Sequence, residues 1–421
     1  MRRQKSAAVG AWAVLAAMGS AGAAASPPDW ACVFDFSGVT QMIENEVAAR
    51  PTLTGCSLII SFEGRIVYER HFGVFTPQTV ADLASATKLL SGVVIMSLVD
   101  DGTIGLDERI SDYLPSYDQP VKRNMTFRQA FSLTGGMAGS GACLGDATTT
   151  LRQCADSIVD TDWQTGPFGA PVAPGTNFFY GGSSMHAAGA AAEVASGRSW
   201  NELFQQRLTG PLGLDSMEFA VIGDPASGPH DNPRIAGGAR STAREYMRVL
   251  DMLISGGEID GVRILNEQSV AEMLADQTFG VPVASSPYSN WNRFDEVDYG
   301  IGLWRVKVHP DRPDMRLTSP GLFGTTPWLD TQRGVAGVFF VRQSNAVLRD
   351  FIADVQDEIE RVVDRAGDIN ADGVADIEDL YAWIAAPVDV NGDGVVDNED
   401  LRCLERFIRR NELRDMAAPQ R

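Results

Sequence analysis

Lysine is scarce in this chain. Of 35 Lys+Arg among 421 residues, only Lys5, Lys88, Lys122 and Lys307 are lysines. Basic charge is short overall, since 55 Asp+Glu leave a formal net charge of −20. That excludes a nucleic-acid binder, which needs a basic face to neutralise phosphates. Histidine is limited to His71, His186, His230 and His309, which are scattered, and the five cysteines have no CxxC spacing. No zinc site follows from such residues. No P-loop occurs, and no GxGxxG opens a helix after a strand, so no nucleotide is implied. Beyond residue 25 no apolar run approaches the roughly 18 residues that a membrane span needs.

What is present begins with a leader. Arg2, Arg3 and Lys5 form a basic start, an apolar stretch follows over 7–18, and Ala23-Ala24-Ala25 offers a small-residue cleavage site before Ser26. This reads as a signal peptide over 1–25. The mature protein is then expected to be secreted, extracellular or periplasmic, with the cell surface as one address and no membrane span after cleavage. Export makes disulfides available. Cys143 and Cys154 lie close together in a Gly-rich stretch and suit a local bridge. Cys32 with Cys56 would tie the N-terminal arm to the first strand and leave Cys403 over. Connectivity is not fixed by sequence, and five free thiols are the alternative.

Residues 57–70 are two β-branched runs around Glu63-Gly64, which is a hairpin pattern. Helical spacing appears at 84–98, 201–208, 243–253 and 349–363, and strand patterns at 299–308 and 334–341. Strands thus open the region, helices fill its middle, and strands plus a helix close it. The expected class is α+β, with both ends of the region meeting in one antiparallel sheet.

After Gly367 the composition changes. Residues 366–416 hold 13 Asp+Glu and five Arg, and DINADGVADIED repeats as DVNGDGVVDNED 21 residues on. Each repeat is a 12-residue loop with side-chain oxygens at positions 1, 3, 5, 9 and 12 and glycine at 6. The first set is Asp368, Asn370, Asp372, Asp376 and Asp379 with Gly373; the second is Asp389, Asn391, Asp393, Asp397 and Asp400 with Gly394. Alternate oxygens around a sharp turn suit a hard cation, so two structural Ca²⁺ ions are expected. Position 12 is Asp rather than the usual Glu. With a helix after each loop, 366–411 resembles the type I dockerin module. That resemblance implies a cohesin-like or cell-surface scaffold partner.

Ser85-Ala86-Thr87-Lys88 heads the helix expected at 84–98. Spacing i, i+3 puts serine and lysine on one face. A serine hydroxyl needs a base to become a nucleophile, and a lysine of lowered pKa can be that base. The context around this Ser-x-x-Lys is specific. ASATKLLSG, DDGTIGLDERISDYLP at 100–115, FRQAFSLTGGMAG at 127–139, FYGGSSMHAAGAAAE at 179–193, FQQRLTGPLGLDSMEF at 204–219 and AGGARSTAREYMRVLDMLISGG at 236–257 follow one another in order. Together, over 56–364, they resemble the serine β-lactamase and penicillin-binding-protein superfamily, in its class C β-lactamase and esterase branch. The resemblance implies a hydrolase domain over 26–365, a β-lactamase/transpeptidase-like fold of antiparallel sheet plus helical subdomain, and Tyr180 as a partner of Ser85 and Lys88 in proton traffic.

Two departures from that family narrow the expectation. Tyr-x-Asn is here Tyr180-Gly181-Gly182, without an amide, and the Lys/His-x-Gly of the strand lining the site is here Ser319-Pro320-Gly321. Losing both removes the charge-assisted grip on a substrate carboxylate. The oxyanion hole is expected from the backbone N–H groups of Ser85 and Leu322, with Gly321 letting the strand approach the carbonyl. The leading reading is an exported serine hydrolase forming an acyl-enzyme on carboxylic esters, needing no catalytic cofactor. One alternative is a β-lactamase or D-Ala-D-Ala carboxypeptidase acting on an amide, with Arg305 or Arg316 as the missing cation. The other is a non-catalytic binding module on the same fold. Trp304, Phe339 and Phe340 read as packing, and Trp328 reads as packing or as a wall of the acyl pocket.

Overall fold

Gly55–Phe62 is apolar at nearly every position, and all eight residues are buried. A strand buried on both faces belongs inside a sheet with a layer on each side. In the computed structural model, described for residues 28–417 apart from 140, 167–168, 289–295 and 308–314, this strand (β1) has that position. β2 (Arg65–Gly73) pairs with it across Glu63 and Gly64. Both turn residues have positive φ, 48° and 72°, as a two-residue hairpin loop with right-handed twist requires. The remaining strands are β3 (Glu296–Tyr299), β4 (Trp304–Lys307), β5 (Met315–Thr318), β6 (Gly324–Asp330) and β7 (Val335–Arg342). The sheet order is β3-β4-β5-β6-β7-β1-β2, antiparallel throughout. The first and last strands in the chain meet at its centre, Cys56 opposite Val341 through to Phe62 opposite Val335.

Alternation along the central strands divides the interior into two cores. Ile59, Ala336, Val338 and Phe340 face a front core, whereas Leu58, Ile60, Phe62, Val335, Phe339 and Val341 face a back core. The front core holds α2 (Thr87–Asp100), α3 (Leu151–Thr161), α4 (Ser183–Ser196) and α5 (Ala243–Ile254). The back core holds α1 (Ser37–Ala49) and α6 (Asn345–Asp364). The acidic C-terminal region forms α7 (Ile377–Ala385) and α8 (Asn398–Ala417). Its apolar side chains, Trp383, Leu404, Phe407 and Ile408 among them, join that same back core. Phe407 packs 5.8 Å from Phe34 and 6.4 Å from Phe62, and the Arg410 guanidinium lies over the Trp30 ring and bonds Glu63 in the hairpin turn.

Several expectations change. Cys32 pairs with Cys403, across 371 residues, and not with Cys56. Cys56 lies inside the back core on β1, where burial pushes its thiol up to about 12. The local Cys143–Cys154 bridge is present. The single strand expected at 299–308 is two strands, because Gly300-Ile301-Gly302-Leu303 turns between β3 and β4. Gly302 has φ +83°, and a Cβ there would lie 2.3 Å from the Lys88 carbonyl. The helix expected at 84–98 opens with a 3-10 turn and runs to Asp100. The leader at 1–25 falls outside the described residues. Among the described residues no helix is long and apolar enough to cross a membrane.

Candidate active site

The residues before the serine set its presentation. The Leu83 N–H donates to the Ala239 carbonyl at 2.9 Å, which pins the chain to the short strand Ala239–Ser241. Ala84 then takes φ +46°, a left-handed conformation that costs a residue with a Cβ on the order of 1–3 kcal/mol. A 3-10 turn, Ala84–Ala86, leads directly into α2. Leu83, Ala86 and Thr87 are buried, while Ser85 stays half-buried and reachable.

Lys88 sits one turn further on. Its Nζ donates to Ser85 Oγ at 3.1 Å and to the Ala236 carbonyl at 3.0 Å. The side chain is 3% exposed, and no carboxylate among the described residues pairs with it. Burial, aided by the positive charge of Arg234, lowers its pKa to about 7. Tyr180 approaches from the other side, after the short strand Phe178–Phe179, with its N–H on the Ser285 carbonyl. Its ring stacks on Trp304 at 5.1 Å, and Lys88 Nζ lies 4.7 Å from the ring centroid. Burial pushes the phenol up to about 12, against the pull of hydrogen bonding with Ser85 and Trp304. Phe178, Tyr288 and Tyr299 close around Trp304, so Tyr180 rests on a rigid aromatic block. Serine, lysine and tyrosine, 95 positions apart at the extremes, thus meet at one point. The amine loses its proton near pH 7 and the phenol keeps its own well above it, which separates a base from an acid.

The third motif lies in the connection between β5 and β6, not on a strand. Pro320 has no N–H to give a ladder. Ser319 is 2% exposed, and its hydroxyl donates to the backbone carbonyls of Ser85, at 3.1 Å, and Gly302, at 3.4 Å. It braces the nucleophile's turn and offers no cation to a substrate. Gly321 is required by a close approach, because a Cβ there would lie 2.2 Å from the Leu83 carbonyl. Leu322 follows at once, with its side chain 65% exposed and its carbonyl accepting from the Asn345 N–H.

Gly182 has a spatial reason as well. A Cβ on it would meet Leu144 Cδ2 at 3.1 Å and Ala236 Cβ at 3.4 Å. Leu144 is 5% exposed and follows Cys143, which the disulfide anchors to α3. Leucine therefore fills the space of the missing asparagine. Gly182→Asn alone is expected to destabilise by about 1–3 kcal/mol through overpacking, and Leu144→Ala alone by about 2–5 kcal/mol through a cavity. The double variant is expected to lose less than the sum by at least about 0.5 kcal/mol. Chemical denaturation of the four proteins checks this, and strict additivity would break the account.

The other candidates do not converge on the site. Arg316 is 3% exposed and held by Glu360, Gln356 and Asp357 of α6. The Arg305 guanidinium donates to the Leu274 carbonyl. Trp328 faces the back core, against Gly337, and lines no acyl pocket. Sequence reasoning missed Arg234, whose charge acts on Lys88; nothing in its local pattern marks it among the arginines.

The two acidic loops are built alike. Asp368 accepts from the N–H groups of Asp372 and Gly373, and Asp389 from those of Gly392 and Gly394. Asp379 and Asp400, both fully buried, each accept three backbone N–H groups of their own loop. Among the described residues no three His, Cys, Asp or Glu side chains converge as a ready-made metal cage. The donor set still fits a hard cation. Each loop gathers four aspartates and one asparagine, and no lysine or arginine among the described residues pairs with any of the loop ligands.

A serine whose hydroxyl accepts from a lysine of lowered pKa, with a half-buried tyrosine beside both, defines a serine hydrolase. The chain belongs to the β-lactamase family, whose sequence profile matches residues 41–360. It is 28% identical over 252 residues to penicillin-binding protein 4 of Amycolatopsis lactamdurans, a match covering 52% of this chain and 64% of that protein's length. It is 22% identical over 313 residues to the esterase/β-lactamase LipL of Mycobacterium tuberculosis, covering 60% of this chain and 66% of that one. Its fold is similar to a putative β-lactamase from Bacteroides dorei, with a TM-score of 0.65, 26% identity, and coverage of 77% of this chain and 99% of the other.

Proposed function

We propose that this serine hydrolase cleaves carboxylic esters through an acyl-enzyme on Ser85. The observation that carries the reading is the pairing of a low-pKa Lys88 with a site that lacks the amide of the second motif and the cation of the third. Lys88, neutral, takes the Ser85 proton as Oγ attacks the ester carbonyl. The N–H groups of Ser85 and Leu322 receive the developing oxyanion. Tyr180 gives a proton to the departing alcohol oxygen and regains one from Lys88 through the shared network. Water then attacks the acyl-enzyme by the reverse proton path. The LipL resemblance, to a protein named for both activities, is compatible with this choice. The β-lactamase or D-Ala-D-Ala carboxypeptidase alternative is disfavoured by the commitment of Arg316 to α6. A fluorophosphonate probe is expected to label Ser85 and inhibit turnover of 4-nitrophenyl esters, and Ser85→Ala is expected to remove both. Turnover without labelling would dismiss Ser85, and neither signal would favour the non-catalytic binding module. Rapid nitrocefin turnover would reverse the order of ester and lactam.

The proposal extends to the C-terminal loops and to export. Asp368, Asn370, Asp372, Asp376 and Asp379, and Asp389, Asn391, Asp393, Asp397 and Asp400, would each hold one Ca²⁺, which cross-links its loop when bound. Docking on a cohesin-like partner belongs to the same proposal, on the dockerin resemblance alone. Adding Ca²⁺ at about 100 times its Kd to chelator-treated full-length protein is expected to stabilise it by about 2.7 kcal/mol per site. An unmoved melting temperature would reject calcium.

A further inference from the structure

Arg234 carries a charge that the reaction above does not use. Its stem occupies a slot made by glycines. Cβ atoms built on Gly145 or Gly238 would come within 3.0 Å of Arg234 Cβ. The Cβ position of Gly237 is 3.7 Å from Arg234 Cδ and equally 3.7 Å from the Ala84 carbonyl, immediately before Ser85. Gly237 therefore lies between the arginine stem and the turn that presents the nucleophile, on the segment whose Ala236 carbonyl holds Lys88. Its charge is felt by Lys88 and by the buried His186. The arginine is only partly exposed, yet among the described residues no carboxylate or carbonyl pairs with its guanidinium. Arg316, by contrast, is saturated by three side chains. In a chain with 55 Asp+Glu, an arginine without a carboxylate on the segment that holds Lys88 stands out. Its planar donors match a carboxylate in bidentate geometry, and partial burial strengthens such a pair over one in water.

We propose that Arg234 determines specificity by binding an ionised carboxylate on the ester substrate, so that half-esters and esters of carboxylated alcohols are preferred over neutral ones. The inference rests on Ser85 being the esterase nucleophile. The position is distinct from the third motif, where Ser319 offers no charge.

Two matched substrate pairs test it on the full-length protein. One is mono-4-nitrophenyl adipate against 4-nitrophenyl hexanoate, equal in acyl length. The other is 4-carboxyphenyl acetate against phenyl acetate. Arg234→Gln is expected to lower kcat/KM for the charged member of at least one pair about ten- to a hundredfold more than for the neutral member, mainly through KM. Arg234→Lys is expected to recover part of that ratio. The responding pair locates the carboxylate on the acyl or the alcohol side. Any loss shared by both members reports on Lys88, whose pKa Arg234 also sets, so the ratio is the readout. Equal losses within both pairs would overturn the proposal and leave Arg234 a positioning residue. Ser85→Ala keeps the two readings apart. If it kills turnover while the Arg234→Gln ratio stays flat, only the specificity claim falls; if it leaves turnover intact, both fall.

Discussion

Lys88→Met is expected to lower kcat/KM on ester substrates by about 10³-fold, within the 10²–10⁴ range of a positioned general base, while making the protein more stable at pH 6. Both effects come from one buried amine. Lys88 is 3% exposed, and among the described residues its hydrogen-bond partners are one hydroxyl and one carbonyl, beside the Tyr180 ring. Its pKa falls from 10.5 to about 7 on folding, first through burial and then through Arg234. Between those values the unfolded chain binds more protons than the folded one, so stability rises with pH across the window. Below about pH 7 the amine is charged in both states, and the full penalty of burying that charge is present. Methionine carries no such penalty. After allowing for the two lost hydrogen bonds, at about 1 kcal/mol each, the variant is expected to gain about 1–2 kcal/mol at pH 6 and to be less stable than the parent by about 1–2 kcal/mol at pH 10, where little beyond the lost bonds remains. Wild-type kcat/KM is expected to climb through about pH 7 as the base loses its proton, and the variant to lose that limb. Denaturation at the two pH values and a pH–rate profile decide the matter. A variant destabilised at pH 6, or a profile unchanged by the substitution, would end the assignment of Lys88 as base.

The second large effect concerns the bridge between the chain's ends. Cys403→Ser is expected to destabilise the whole molecule by about 2–5 kcal/mol, as loss of a native disulfide does. What matters is where the loss is felt. Leu404 and Phe407 of α8 pack with Phe34 and Phe62 in the core behind the central sheet. Arg410 reaches the hairpin turn at Glu63. Loosening α8 therefore uncovers β1, and β1 lies between β2 and β7. The thermal transition is expected to stay single and to shift as a whole, with hydrolase activity lost over the same range. A separate early transition that leaves the hydrolase melting point unmoved would show instead that the acidic region is only an appendage.

Much of this was legible in advance. The hairpin at Glu63-Gly64, the meeting of first and last strands, α5 and α6, and the meeting of Ser85 with Lys88 follow from local periodicity and i, i+3 spacing. Tyr180 needed the family resemblance, because nothing local separates it from Phe178 and Phe179. What stayed hidden was long-range. The partner of Cys32 is 371 residues away, where no spacing argument reaches. The break between β3 and β4 looked like strand because Gly300 and Gly302 sit among β-branched and aromatic residues; contact with the Lys88 backbone, not propensity, decides it. Ser319 stands where the family resemblance puts a basic residue, and its bracing role depends on two backbone carbonyls that are distant in sequence.

The contact between Gly182 and Leu144 also bears on how such a site can be altered. Restoring asparagine first drives it into the leucine, and trimming the leucine first opens a void beside the nucleophile. Each single step is disfavoured and the pair costs less than their sum, so the two positions are epistatic. The disulfide beside Leu144 tightens this coupling, since the loop cannot drift aside to admit the new side chain. Installing an amide at position 182 therefore calls for a change at Leu144 as well.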